Sequence, residues 1–187
     1  MGVVAVLVLQ LSLIATILVT QTLAADWGHE IPYEKMGKEK MTRLHFYFHD
    51  IITGKNPTAV RVAEAPTTNQ SSTLFGALLM VDDPLTEGPE PTSKLVGRAQ
   101  GMYGFAGQKE MVLIMALSYV FTDDKYNGST LSVLSRNPIT NPVREFSVVG
   151  GTGLFRFARG VVDAKTYWVN FTSGNAIVEY NVTVLHY

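Results

Sequence analysis

The sequence predicts an all-β domain closed as a barrel or a sandwich, and three observations carry that reading. From Arg43 onward, short runs rich in Val, Ile, Phe, Tyr and Thr are broken by Gly, Pro, Asn and Asp, the signature of strands and tight turns. No amphipathic helical period or internal repeat appears beyond the leader. There is no cysteine, so the domain must hold itself by packing and backbone pairing rather than as a loop-rich stapled scaffold. Many strands joined by short turns suit a closed architecture.

Taken in order, the first element is a nearly continuous apolar run from Gly2 to Ala25, ahead of the first charged residue, Asp26. The small residues of Thr22-Leu23-Ala24-Ala25 suit cleavage, and residues 1–25 read as a signal peptide. The run lacks a Lys or Arg in its first residues and is long enough to span a bilayer, so an uncleaved anchor is the competing reading. Sequons at Asn69, Asn127, Asn170 and Asn181 favour the secretory route and glycosylation. Residues 26–42 are charged, carry Pro32 and Gly37 and show no period; they are expected to form an N-terminal extension or an edge segment before a domain spanning 43–187.

Leu44–Ile51 alternates as a strand, with Leu44, Phe46 and Phe48 on one face and His45, Tyr47 and His49 on the other. Met111–Phe121 is apolar on both faces and is expected to be covered twice, by the interior and by an oligomer interface in preference to a longer loop. Tyr126-Asn127-Gly128-Ser129 predicts a hairpin with a type I′ turn, because Asn-Gly supplies two positive φ angles. Gly150-Gly151-Thr152-Gly153 predicts another turn; no helical pattern follows it, so it is not a phosphate loop. In Ala176–His186, Ala176, Val178, Tyr180, Val182 and Val184 share one face, and Asn181 falls on the more polar one.

The net charge of −1, without a basic block, gives no support to capture of nucleic acid or an anionic membrane. His45 and His49, at i and i+4, lie about 13 Å apart on a strand and cannot share a metal ion; a half-exposed outer face is expected for both. No Cys nucleophile or nucleophile-elbow motif is present, which leaves acid–base or binding chemistry in an aromatic-lined pocket. Asp50 continues the inward face of Leu44, Phe46 and Phe48, so it is either an acid in the lumen or a strand-end residue capping the turn Thr53-Gly54-Lys55-Asn56-Pro57. Arg144 shares its register with Phe146 and Val148, so it needs either an anionic ligand or a structural Arg–Asp pair.

These motifs, taken together, resemble plant dirigent proteins: Leu44-His-Phe-Tyr-Phe-His-Asp50-Ile, Asp82-Asp-Pro-Leu-Thr, Val96-Gly-Arg-Ala-Gln-Gly-Met-Tyr103, and Val148-Val-Gly-Gly-Thr-Gly153 followed by Ala158-Arg-Gly160. The resemblance implies an eight-stranded antiparallel barrel similar to allene oxide cyclase, a homotrimer with one pocket per subunit, no cofactor, no metal, and secretion to the apoplast. It implies catalytic roles for Asp50 and Arg144. Tyr103, Phe105, Asn137 and Thr166 correspond to pocket positions, with Phe46 and Phe48 as aromatic lining.

Two departures stand out. Asn137 occupies a position where lignan-forming members carry an aspartate, and Phe105 one where they have a second tyrosine. The chain therefore looks closer to the branch near the pterocarpan-forming members. The expected function is stereocontrol of the coupling of monolignol-type phenoxy radicals supplied by a laccase or peroxidase. The alternatives are a lyase that dehydrates and cyclises an isoflavanol, and a non-catalytic phenolic-binding cell-wall protein.

Overall fold

The computed structural model describes Gly2 and residues 28–187; the leader, and with it the cleavage site, lies outside the described residues. The chain divides after Met36. Before that point the described residues carry one 3-10 turn, Tyr33–Met36.

Nine strands follow: β1 (Lys40–Asp50), β2 (Ala59–Ala63), β3 (Leu78–Thr86), β4 (Leu95–Phe105), β5 (Val112–Phe121), β6 (Thr130–Pro138), β7 (Val143–Thr152), β8 (Arg159–Val169) and β9 (Ala176–His186). They hydrogen-bond in the order β1-β9-β8-β7-β6-β5-β4-β3-β2, and β1 also pairs with β3. That last pairing, Tyr47↔Thr86 and Phe48↔Leu85, closes β1 and β3–β9 into an eight-stranded antiparallel barrel. The predicted fold class is the observed one. Closure removes the open edges that would otherwise invite strand addition.

Beyond Phe48 the free edge of β3 passes from β1 to the short strand β2, with Ala59 opposite Val81 and Val60 opposite Met80. Thr58, just before β2, bridges the gap: its amide donates to Ile51 O at 2.7 Å, and its carbonyl accepts from the Asp82 amide at 2.9 Å.

Strict alternation fills the interior. Phe46 and Phe48 (β1), Leu79, Val81 and Leu85 (β3), Leu117, Tyr119 and Phe121 (β5), Phe146 and Val148 (β7) and Val178, Tyr180, Val182 and Val184 (β9) point inward and are buried. Around Tyr180 the packing is dense. Phe48 stacks on it at 5.4 Å, Phe46 and Phe146 meet it edge-on at 5.8 and 5.9 Å, and Tyr119 tilts against it at 5.7 Å. Phe155, stacked on Tyr126 at 5.3 Å, packs below this layer beside Phe121. An eight-stranded barrel has just the width that such side chains fill.

Three expectations need correction. The first strand begins at Lys40, three residues earlier than the domain boundary read from the sequence, because Lys40, Met41 and Thr42 find partners in His186, Leu185 and Val184 of β9. His49 is buried rather than half-exposed: its Nε2 lies 2.7 Å from Oγ1 of Thr86 at the end of β3, which donates on to Gly88 O. The turn at Asn127-Gly128 is type II, not type I′. Asn127 has φ −51° and ψ 129°, Gly128 has φ 77°, and the Ser129 amide closes on Tyr126 O, because a 3-10 turn at Asp124–Tyr126 already reverses the chain. The outer face of β5 presents Ile114, which is 44% exposed.

Candidate functional site

Antiparallel pairing decides which residues share one end of the barrel. Asp50 ends β1 opposite Ala176; Tyr103 lies opposite Met115 near the end of β4; Asn137 lies opposite Leu113 near the end of β6; Arg144 lies opposite Ala164 at the start of β7. Thr166, late on β8, lies opposite Val178. All five therefore reach the same mouth. The far end is plugged by the Phe121–Tyr126–Phe155 cluster.

The mouth carries two polar groups of residues on different strands. In the first, the Tyr103 hydroxyl donates to Asp50 Oδ2 at 2.9 Å. The other oxygen of Asp50, Oδ1, is buried and has no hydrogen-bond partner. Burial pushes the Asp50 carboxyl up to about 6, and the Tyr103 hydrogen bond opposes this only in part. Of the two sequence readings of Asp50, the structure supports the lumenal acid. The turn that Asp50 might have capped is held instead by Asn175, whose Oδ1 accepts from the amides of Ile52 and Thr53 at 2.9 and 3.0 Å.

Asp83 on β3 belongs to the same group, and sequence reasoning missed it. It is fully buried and accepts a short hydrogen bond from the Thr58 hydroxyl at Oδ1, while its Oδ2 has no partner. Desolvation first, and the neighbouring Asp50 charge second, push its carboxyl up to about 8. The signal was present in the sequence: Asp83 has the parity of Leu79, Val81 and Leu85. Asp82, by contrast, faces outward and forms an ion pair with Arg98 at 2.6 Å.

The second group centres on Arg144, which is 4% exposed. Its Nη1 donates to Thr166 Oγ1 at 2.8 Å and to Asn141 O at 3.3 Å, and its Nε donates to Asn137 Oδ1 at 3.2 Å. No carboxylate forms an ion pair with it among the described residues, which removes the structural Arg–Asp alternative. Burial lowers its affinity for its proton, opposed by the nearby Tyr180. A buried guanidinium held only by neutral oxygens is set to receive an anionic oxygen from elsewhere.

Between the groups stands Tyr180, the second residue that sequence reasoning left off the site although its face was correctly read. Burial raises its phenol well above the usual range, and it feels the charges of Arg144, Asp50 and Asp83. Phe105 is partly exposed beside Tyr103, with ring centroids 6.4 Å apart. Phe48 and Phe46 lie deeper. Phe48 stacks under Tyr180, and Phe46 is sealed by Tyr119, Phe121 and Tyr180, so it forms the floor of the site rather than its wall. His45 lies outside, against Glu179 at 3.1 Å. The sequon residues Asn69, Asn127, Asn170 and Asn181 are all exposed.

A family model described as dirigent-like protein matches residues 41–185. The chain belongs to the dirigent family. Dirigent protein 23 of Arabidopsis thaliana is 53% identical over 161 residues, covering 86% of this chain and 85% of that protein. Pterocarpan synthase 1 of Glycyrrhiza echinata is 56% identical over 151 residues, covering 80% of each. Among solved structures, the pterocarpan synthase dirigent protein GePTS1 superposes with a TM-score of 0.77 at 55% identity, covering 81% of this chain and 87% of that one. The kinship extends to the branch near pterocarpan-forming members that the Asn137 and Phe105 departures indicated.

Proposed function

We propose that this dirigent-family barrel binds a flat phenolic at its mouth and acts as a lyase, with Asp50 as general acid. The observation that carries the reading is an inward carboxyl whose proton affinity is raised by burial, at the same end of the barrel as a buried arginine that forms no ion pair among the described residues. An isoflavanol-type substrate, the class suggested by the pterocarpan synthase relatives, supplies a benzylic hydroxyl and a phenol.

In the step proposed, the Asp50 proton passes to the benzylic oxygen as its bond to carbon breaks, and water leaves. The substrate's own phenolic oxygen then closes on that carbon, and its proton returns to Asp50. Atoms balance as loss of one water, with no redox change and no cofactor. Arg144 holds a phenolic oxygen as negative charge gathers on it, and such a charge-assisted hydrogen bond is strongest in a water-poor site.

A second reading is stereocontrol of phenoxy-radical coupling, with radicals supplied by a laccase or peroxidase. It is favoured by the placement of hydrogen-bonding groups on two different walls, which fixes the orientation of a flat ligand however it was activated. A difference of about 1.4 kcal/mol between the two faces gives a tenfold bias. Asn137, a neutral amide occupied with Arg144, makes the lyase the preferred reading.

The readings separate by incubating the protein with isoflavanols and with monolignols, each with and without a one-electron oxidant, and resolving products on a chiral column. Oxidant-free cyclisation supports the lyase. Products enriched in one enantiomer only when oxidant is present support coupling, and ligand binding without either result marks a carrier.

The same reading takes the chain as a secreted apoplastic glycoprotein, supported by the exposed sequons and the apolar leader. It also takes it as a homotrimer. Val60, Met80, Met102, Ala116 and Leu134 lie opposite one another across β2 to β6, an outward apolar row with four members at least 40% exposed. Such a row suits self-association.

A further inference from the structure

The first polar group contains more than the proposed acid. Asp50 lies two residues beyond Phe48 on the inward face of β1, and Asp83 two before Leu85, the partner of Phe48, on β3, with Thr58 bridging the strands beside them. Both carboxyls lie on the inward face of their strands. Each has one oxygen satisfied by a hydroxyl, Asp50 Oδ2 by Tyr103 and Asp83 Oδ1 by Thr58. Each also has one buried oxygen without a donor, Asp50 Oδ1 and Asp83 Oδ2. Two carboxylates cannot donate to each other, and an orphaned buried oxygen is costly. A single proton between the orphaned oxygens satisfies both at once.

We propose that Asp50 and Asp83 hold one proton between them as an acid–carboxylate pair, with Asp83 the positioning residue that keeps a proton available to Asp50. The proposal deepens the lyase reading and rests on it for its consequence in turnover. The pair itself stands on register and hydrogen-bond supply.

The groups around it favour one retained proton. Tyr103 on β4 and Tyr180 on β9 are neutral phenols, held so by burial. Asp82 on β3 and Arg98 on β4 act on Asp83 from outside with opposite signs, and Arg144 acts through Tyr180 rather than on either carboxyl directly. Among the described residues no cation forms an ion pair with either carboxyl. Like charges this close give two widely separated proton affinities that belong to the pair rather than to either residue.

The test is the pH titration of side-chain carboxyl carbons in the full mature chain labelled with 13C-aspartate, compared with Asp50→Asn and Asp83→Asn. In the unmodified protein the two resonances move together, each in two steps, with one proton still bound at neutral pH. Removing either partner leaves the other with a single step. In Asp83→Asn the new amide donates to Asp50 Oδ1, so Asp50 ionises at lower pH. The alkaline limb of the pH–rate profile then moves acidward, with activity above it about tenfold lower per unit moved.

Two independent single-step curves in the unmodified protein, or an Asp50 curve unchanged in Asp83→Asn, overturn the proposal. Should Asp83→Asn fail to fold, the unmodified protein and Asp50→Asn decide the matter alone. Coupled titration without turnover leaves the pair standing and removes the lyase. Turnover with independent titrations does the reverse.

Discussion

Replacing Asp50 by Asn separates what the residue does for chemistry from what it does for the fold. The asparagine keeps the shape of the carboxyl, its oxygen still accepts from the Tyr103 hydroxyl, and its amide nitrogen takes the place of the unsatisfied Oδ1 as a donor toward the orphaned Asp83 Oδ2. Removing one unsatisfied buried oxygen is worth about 1–3 kcal/mol, so the variant is expected to be as stable as the parent or more so. Its activity should fall about 10²–10⁴-fold, the usual contribution of a positioned general acid.

The pH dependence gives the sign. Burial raises the carboxyls of Asp50 and Asp83 above their unfolded values, so between about pH 4 and the raised values of about 6 and about 8 the folded state binds more protons. The stability these two groups contribute is therefore fully present below pH 4 and is lost as pH rises through that window. Buried His49, with its proton affinity lowered, acts in the opposite direction, so the informative quantity is the difference between parent and variant. Melting temperature and chemical denaturation measured from pH 4 to 9 should show a shallower decline for Asp50→Asn, with its gain largest at the alkaline end. A variant that loses stability in step with activity, or a difference that does not change with pH, refutes the reasoning.

Arg144→Met removes the forked donor but keeps much of the stem; oxidant-free turnover is expected to fall about 10–100-fold, matching the loss of one or two charge-assisted hydrogen bonds, while circular dichroism is unchanged. Phe46→Ala leaves a cavity among Tyr119, Phe121 and Tyr180 and should cost about 3–5 kcal/mol in urea denaturation. Gly101→Val should abolish soluble expression, because Gly101 has φ 148° and any Cβ there meets the Ala116 carbonyl across the ladder. Met102→Lys, in the middle of the outward apolar row, is expected to move the sedimentation coefficient from that of the proposed trimer toward that of a monomer with barrel stability little changed.

Period-two parity made most of the barrel legible. The inward faces of β1, β7 and β9 follow from Phe46 and Phe48, from Phe146 and Val148, and from the valines around Tyr180 without any knowledge of pairing partners. Arg144 and Asp50 were recognisable as intruders on those faces. Asp83 obeyed the same rule but lay in Asp82-Asp83-Pro84, which reads as a turn until β3 is known to run through it, with Pro84 opposite Arg98. What parity cannot supply is closure. The β1–β3 contact beside Asp50 and Asp83, and the hydrogen bond between His49 and Thr86, join segments far apart in sequence with no local signal. The turn at Asn127-Gly128 failed for a different reason. The dipeptide suits two turn types, and the preceding 3-10 turn selects between them.

The most direct measurement is a crystal structure of the protein with an unreactive isoflavanol analogue or the cyclised product bound. The account predicts the ligand at the barrel mouth, its benzylic oxygen within hydrogen-bonding distance of the Asp50 carboxyl and a phenolic oxygen on Arg144. A ligand that settles on the outer surface, or enters the mouth with both groups left unengaged, contradicts it.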